Sequence, residues 1–299
     1  MTANAVAAFL FVVVAVTACG AGHRPELIAV PGKPGHLIEV NDHHLYFECA
    51  GVGKPTVLLE AGYGADHTSW DAVEPELAKT TRTCEYDRAG LGLSAAERPE
   101  PRGPFDQLDD LDELLDGAGI DPPYVVVGHS YGGLLAWFFA RRHRGDVDGL
   151  LLLDSSHPQQ VKRFRAVLGK AHLAEPEQVS PENVRFSTAA AKLRDLGSLG
   201  GTRLVVMTAG EADMAELPKR AAARVGRIWR DLQDDYARRS TDSVHVVAVY
   251  SPHFIQSYLG QPELVVRAVR ELVAAARADR PLRECRRLFR PPGAACISG

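Results

Sequence analysis

Ser130 stands between Gly128 and Gly132, where an apolar run, Tyr124–Val127, meets a helix-forming stretch, Leu134–Arg142. A serine hydroxyl becomes a nucleophile only when it is exposed beside a base and a set of anion-stabilising donors. A sharp strand–turn–helix elbow supplies that exposure. Small residues two positions to either side let the strained turn pack closely on its neighbours. The pattern predicts a nucleophilic Ser130 that attacks a carbonyl, and it requires a base and fixed N–H donors nearby. His253 is the histidine placed to act as the base. Of eleven histidines, it alone follows the last strand-like run, Val244–Tyr250, and precedes the closing helix, Pro262–Ala278. That puts it at the carboxyl end of the sheet, with Ser130. His245 begins the same strand and faces the other end. His129 is expected to pack within the elbow. His43, His44, His67, His143, His157 and His172 are expected to decorate loops and helix surfaces. No pair shows metal-ligand spacing with a supporting acid, so neither a metal nor a cofactor is expected.

These residues need a frame, and the chain alternates strand and helix signals from residue 36 onward. His36–Val40 and Leu45–Ala50 read as a hairpin through Asn41-Asp42. Thr56–Glu60 and Thr83–Tyr86 read as strands, and Asp106–Gly117 as an acidic helix ending at glycine. Gly149–Asp154 and Leu204–Thr208 are further strands, the latter followed by a long helix through Arg239. Strands separated by helices imply parallel pairing with both faces covered, an α/β architecture.

Four segments, following one another along the chain in the order expected, resemble the α/β-hydrolase fold over roughly residues 36–279. Gly128–Gly132 is similar to that family's elbow. Ala61-Gly62-Tyr63-Gly64 looks like its oxyanion loop, although the family more often begins it His-Gly. Asp87-Arg88-Ala89-Gly90-Leu91-Gly92-Leu93-Ser94 resembles the loop after its fourth strand, and Ser251-Pro252-His253-Phe254 the loop bearing its histidine. The resemblance implies about eight mostly parallel strands with helices on both faces. It also implies an anion hole built from the backbone N–H groups of Tyr63 and Tyr131. A carboxylate must orient His253. Asp213, in Gly210-Glu211-Ala212-Asp213, matches the family's common Gly-x-x-Asp position and is the first choice. Asp154, at the end of the preceding strand, is the alternative used by some lipases of the fold. Dehalogenase and epoxide-hydrolase relatives need Asp at position 130, so the expected reaction is ester hydrolysis on a small-molecule substrate. A proline-iminopeptidase-like peptidase and a non-catalytic envelope binding protein are the alternatives.

Composition narrows the setting. The chain has 299 residues, 45% apolar and 24% charged, with net charge −4. That gives no electrostatic case for nucleic-acid binding. Ala5–Val16 is an apolar run of signal-peptide length, too short to span a bilayer. Val16-Thr17-Ala18-Cys19-Gly20 resembles a bacterial lipobox, which implies cleavage before Cys19, its lipidation, and an exported protein membrane-anchored in the cell envelope; plain secretion and an uncleaved anchor are the alternatives. Residues 1–18 then form the signal and 19–35 a Gly/Pro-bearing tether. The four remaining cysteines suit an oxidising compartment, with Cys49–Cys84 and Cys285–Cys296 as expected pairs. The core comprises 36–154 and 202–280, with 155–201 inserted as a cap and 281–299 as a tail pinned by its disulfide.

Overall fold

The computed structural model describes residues 25–94, 102–169, 182–184, 189, 192–193, 195–211 and 217–297. Runs such as Val57–Leu59 and Leu150–Leu153 are apolar at every position, so they are stable only where both faces are covered. They form the middle of one ten-stranded sheet among the described residues, in the order β1-β2-β3-β5-β4-β6-β7-β8-β9-β10. The strands are β1 Leu27–Ala29, β2 His36–Val40, β3 His43–Ala50, β4 Thr56–Glu60 and β5 Thr83–Tyr86, then β6 Tyr124–His129, β7 Val147–Leu153, β8 Arg203–Ala209, β9 Ser243–Ala248 and β10 Ala294–Ile297. From β5 through β4 and on to β9 the pairing is parallel, and the strands outside that block pair antiparallel.

Alternation within the strands divides the interior into two layers. Val126, Leu150, Leu152, Leu204 and Val206 face one core with Leu108, Leu111, Leu134 and Trp137. These last residues come from α2 (Pro104–Gly117) and α3 (Tyr131–Arg142). Val125, Val127, Leu151, Leu153, Val205 and Met207 face the other, with Leu77, Leu264 and Leu272. Those belong to α1 (Glu74–Ala78) and α6 (Pro262–Arg277). The cap segment contributes α4 (Gln160–Leu168), which packs on α5 (Lys219–Ala237). A final short helix, α7 (Cys285–Leu288), leads into β10.

The sheet has two more strands than the expected eight or so. β1 forms within the segment read as tether, and β10 within the tail. Each is a short edge strand whose order comes from antiparallel pairing with β2 or β9. Both expected disulfides form: Cys49–Cys84 joins paired positions of β3 and β5, and Cys285–Cys296 ties α7 to β10. Among the described residues no helix is long and apolar enough to cross a membrane.

Candidate active site

β6 ends at His129, and the chain turns at Ser130 into α3. Ser130 has φ 51° and ψ −119°. A non-glycine residue there is strained and persists only where its surroundings enforce it. The glycines explain how. A Cβ on Gly132 would lie 2.2 Å from the Ala61 carbonyl oxygen, and one on Gly128 would lie 2.6 Å from that of Gly132. The elbow is therefore pressed against the exit of β4. It also grips the end of β7, because Ser130 N donates to Leu153 O at 3.0 Å and Ser156 N donates to Ser130 O at 2.9 Å. Ser130 is half-buried.

Asp154 follows β7 directly, also at positive φ (41°). Its Oδ2 accepts the His253 Nδ1–H at 2.7 Å. Its Oδ1 accepts from the Trp229 indole N–H at 2.6 Å and from Ala209 N at 3.1 Å. The carboxylate is buried, whereas the His253 side chain is one-third exposed. With Nδ1 donating to Asp154, Nε2 of His253 carries a lone pair and can accept a proton. His129 ends β6 directly before Ser130, and its ring centroid is 4.6 Å from that of His253. His129 Nε2 donates to the His253 carbonyl at 3.0 Å. Burial, with His253 adding to it, pushes His129 down to about 3, so it stays neutral. A Cβ on Gly62 would lie 2.8 Å from His129 Nδ1 and 3.6 Å from Ser130 Cβ, so the Gly62–Gly64 loop lines the same cleft. The Ser130 hydroxyl does not cap α3, and among the described residues no hydrogen bond joins it to the His253 ring. Such contacts commonly tighten only when substrate binds.

A family model described as the alpha/beta hydrolase fold matches residues 55–177. The uncharacterized protein YqjL of Bacillus subtilis is 28% identical over 229 residues, covering 76% of this chain and 86% of that protein. A soluble epoxide hydrolase of Corynebacterium sp. is 34% identical over 122 residues, covering 40% of this chain and 41% of that protein. Among solved structures, a thermophilic esterase from Thermogutta terrifontis superposes with TM-score 0.57 at 22% identity, over 85% of this chain and 99% of that one. This chain has the α/β-hydrolase fold.

Within that fold the structure brings one of the two candidate acids to His253. Asp154, the second choice from sequence, is the carboxylate bonded to His253, and Asp213 lies outside the described residues. Asp154 follows β7, and in the chain Asp213 comes after β8, its parallel neighbour, so chain order alone does not separate them.

Tyr131 opens α3, and Tyr63 sits in the loop after β4, with their rings edge-to-face at 5.9 Å. What holds that loop is a buried ionic network that the sequence reading did not single out. Arg88, 3% exposed, donates to Glu60 Oε1 and Glu182 Oε2 and to the carbonyls of Ala61 and Gly62, all between 2.6 and 2.7 Å. Glu182 also accepts from Gly64 N at 2.9 Å and from Gln107 Nε2 at 2.8 Å, and Gln107 Oε1 accepts the Tyr131 hydroxyl at 2.6 Å. Tyr63 donates its hydroxyl to Val184 O at 2.7 Å. Residues 182–184 thus clamp the Gly62–Gly64 loop from one side and Arg88 from the other. Burial pushes the Glu60 carboxyl up against the pull of Arg88.

Three histidines read as surface residues are in fact buried: His43 beside Asp110, His67 beside Asp87 and His157 beside Asp235. Each is an imidazole satisfied by an acid distant in sequence, a pairing that local spacing does not reveal. His67 also belongs to a cluster with Asp66 and Asp87 whose ligand-type atoms lie within 4.8 Å of one another, which the sequence reading missed. Those atoms are engaged in hydrogen bonds. Asp66 caps Thr68 N, and Asp87 accepts from His67 N, His67 Nδ1 and Leu93 N.

Proposed function

We propose that the chain is an exported serine hydrolase that cleaves a carboxylic ester. Ser130 Oγ attacks the ester carbonyl as His253 Nε2 takes its proton, and the backbone N–H groups of Tyr131 and Tyr63 stabilise the tetrahedral oxyanion. The intermediate collapses to an acyl-Ser130 and an alcohol, which leaves with the proton held by His253. Water then attacks the acyl group, His253 takes up its proton, and the acid is released as Ser130 is reprotonated. Asp154 holds His253 in the tautomer this cycle needs and offsets the charge of the imidazolium. No cofactor enters any step. The observation that carries the reading is the 2.7 Å bond from His253 Nδ1 to Asp154 beside a serine strained to φ 51°.

Some relatives are named epoxide hydrolases. A serine at position 130 in place of aspartate favours the ester reading over theirs. The two disulfides support export to an oxidising compartment. Lipidation at Cys19 would add a membrane anchor, and a Cys19→Ser change would then abolish partition into a detergent phase.

Labelling with a fluorophosphonate probe, together with a p-nitrophenyl ester series run against aminoacyl anilides, tests the function. Expected are adduct formation at Ser130, preference for esters, and loss of both in Ser130→Ala. Ester turnover that survives Ser130→Ala overturns the proposal.

A further inference from the structure

β6 runs Tyr-Val-Val-Val-Gly before it reaches His129, which is itself 1% exposed. Burying an imidazole is unfavourable unless its polar atoms find partners. One of them does: Nε2 lies 3.0 Å from the main-chain oxygen of His253. A carbonyl only accepts, so Nε2 carries the proton and Nδ1 keeps a lone pair. That Nδ1 is buried without a hydrogen-bond partner among the described residues. It faces the loop after β4, where a Cβ on Gly62 would lie 2.8 Å away. A leucine or phenylalanine would end the strand without a stranded polar atom. What histidine adds at this position is the Nε2–H bond.

That bond holds the residue that carries the base. The His253 carbonyl also accepts from Ile255 N at 3.1 Å, but this contact stays inside the same turn. Among the described residues, the His129 bond is the one hydrogen bond that joins residues 250–254 to the elbow, residues 128–133. Asp154 grips the other end of His253, at Nδ1 of the ring. A single bond to a carboxylate is a hinge about which an imidazole can tilt. A second tie, at the backbone, fixes the ring plane and with it the direction of Nε2. The rings of His129 and His253 pack with an interplanar angle of 51°, and the Phe254 ring lies 4.9 Å from that of His129. Because His129 is bonded directly to Ser130, this tie sets the base against the residue that bears the nucleophile. Its neutrality also matters, since a cation here would oppose the imidazolium that forms on His253 during turnover.

Resting on the ester-hydrolase reading, we infer that His129 is a positioning residue, whose Nε2–H bond to the His253 carbonyl aims the base at Ser130. No proton of the reaction passes through it. Proton transfer is sensitive to such alignment: a misplacement of about 1 Å can lower a rate on the order of 100-fold.

Two substitutions separate the N–H from the packing. His129→Phe keeps an aromatic ring beside His253 and Phe254 and removes the donor, while the His253 carbonyl keeps its bond from Ile255 N. His129→Gln loses the ring, but an extended glutamine carries an amide N–H close to where Nε2 lies and adds a buried amide oxygen. Packing therefore favours Phe, and the hydrogen bond favours Gln. With p-nitrophenyl acetate, H129F is expected to lower kcat at least tenfold with KM within threefold. H129Q is expected to recover at least threefold of that loss although it melts below H129F. The rate of fluorophosphonate labelling at Ser130 should fall in the same order: parent, H129Q, H129F. Parent-like kcat and labelling in H129F overturn the inference, as do activities that rank with the melting temperatures, H129F above H129Q. Should H129F fail to fold, His129→Leu replaces it and must show the same ranking against H129Q. Ester turnover and labelling that ignore both substitutions refute this inference and spare the ester reading. A parent that is labelled at Ser130 but hydrolyses no ester refutes that reading, and the labelling rates then decide the role of His129. A parent neither labelled nor active refutes both.

Discussion

His253 and Asp154 are 99 residues apart in the chain and 2.7 Å apart in space, and the second oxygen of Asp154 is held by Trp229 and Ala209. A carboxylate with both oxygens bonded cannot rotate, so the imidazole it orients presents a fixed nitrogen to the cleft. Asp154→Asn keeps the shape but offers an amide where a charged acceptor stood. We expect kcat to fall by about 10⁴ with thermal stability nearly unchanged. Asp213→Asn, by contrast, should stay within severalfold of the parent. Steady-state kinetics of the two variants, side by side, decides between the acids, and the reverse ranking would transfer the role to Asp213.

In the proposed mechanism Trp229 acts through Asp154, whose Oδ1 its indole N–H holds. Trp229→Phe keeps most of the ring packing against Phe164 and removes only the N–H donor. A hydrogen bond to a charged group contributes about 1.5–3 kcal/mol, and Ala209 N remains in place. A fall of roughly tenfold in kcat with little change in KM is expected. If the indole serves packing alone, Trp229→Phe will match the parent in kcat and differ only in melting temperature.

Arg88 binds four acceptors with one planar fork, two of them the carbonyls that precede Tyr63. Arg88→Lys retains the charge but cannot reach Glu60, Glu182, Ala61 and Gly62 at once. The two buried acids then lose part of their compensation, a defect that in other buried pairs costs about 3–5 kcal/mol when a partner is removed outright. We expect a melting temperature lower by about 5 °C or more, and kcat reduced at least tenfold as the loop loosens. Full activity in Arg88→Lys would mean that Glu182 and the cap alone fix that loop.

Much of this site was legible because its signals are local. The Gly128–Gly132 spacing, the apolar run before it and the position of His253 after the last parallel strand each describe one short segment. The central strands β4, β6, β7 and β8 were readable because burial on both faces forces unbroken apolar runs. What escaped depends on distant partners. β1 and β10 carry weak patterns and exist through pairing with β2 and β9. That Asp154 meets His253 is a fact of tertiary packing. Trp229, Arg88 and Glu182 are ordinary residues until α5, the β5 loop and the cap converge. His43, His67 and His157 looked like surface residues because their acids lie 20 or more residues away.

Glu85 gives a pH dependence whose direction can be worked out. It sits in β5 opposite Glu48 of β3, is almost wholly buried, and its Oε2 has no hydrogen-bond partner among the described residues. Burial first, and then Glu48, Glu74 and Asp71, push the Glu85 carboxyl up to about 10. A carboxyl whose folded pKa exceeds its unfolded value near 4.3 holds its proton more tightly in the native state. Its contribution is complete below that unfolded value and is lost as pH rises toward the folded one. Stability should therefore decline between about pH 5 and 9 by an amount that Glu85→Gln, which is neutral throughout, does not show. At pH 4 the two proteins should melt together, and at pH 8 Glu85→Gln should melt at least about 2 °C higher. Differential scanning calorimetry across this range is the check. A Glu85→Gln protein that is less stable at pH 8 than at pH 4, relative to the parent, would mean that Glu85 is ionised in the folded protein and that a cation or rearranged donor compensates it.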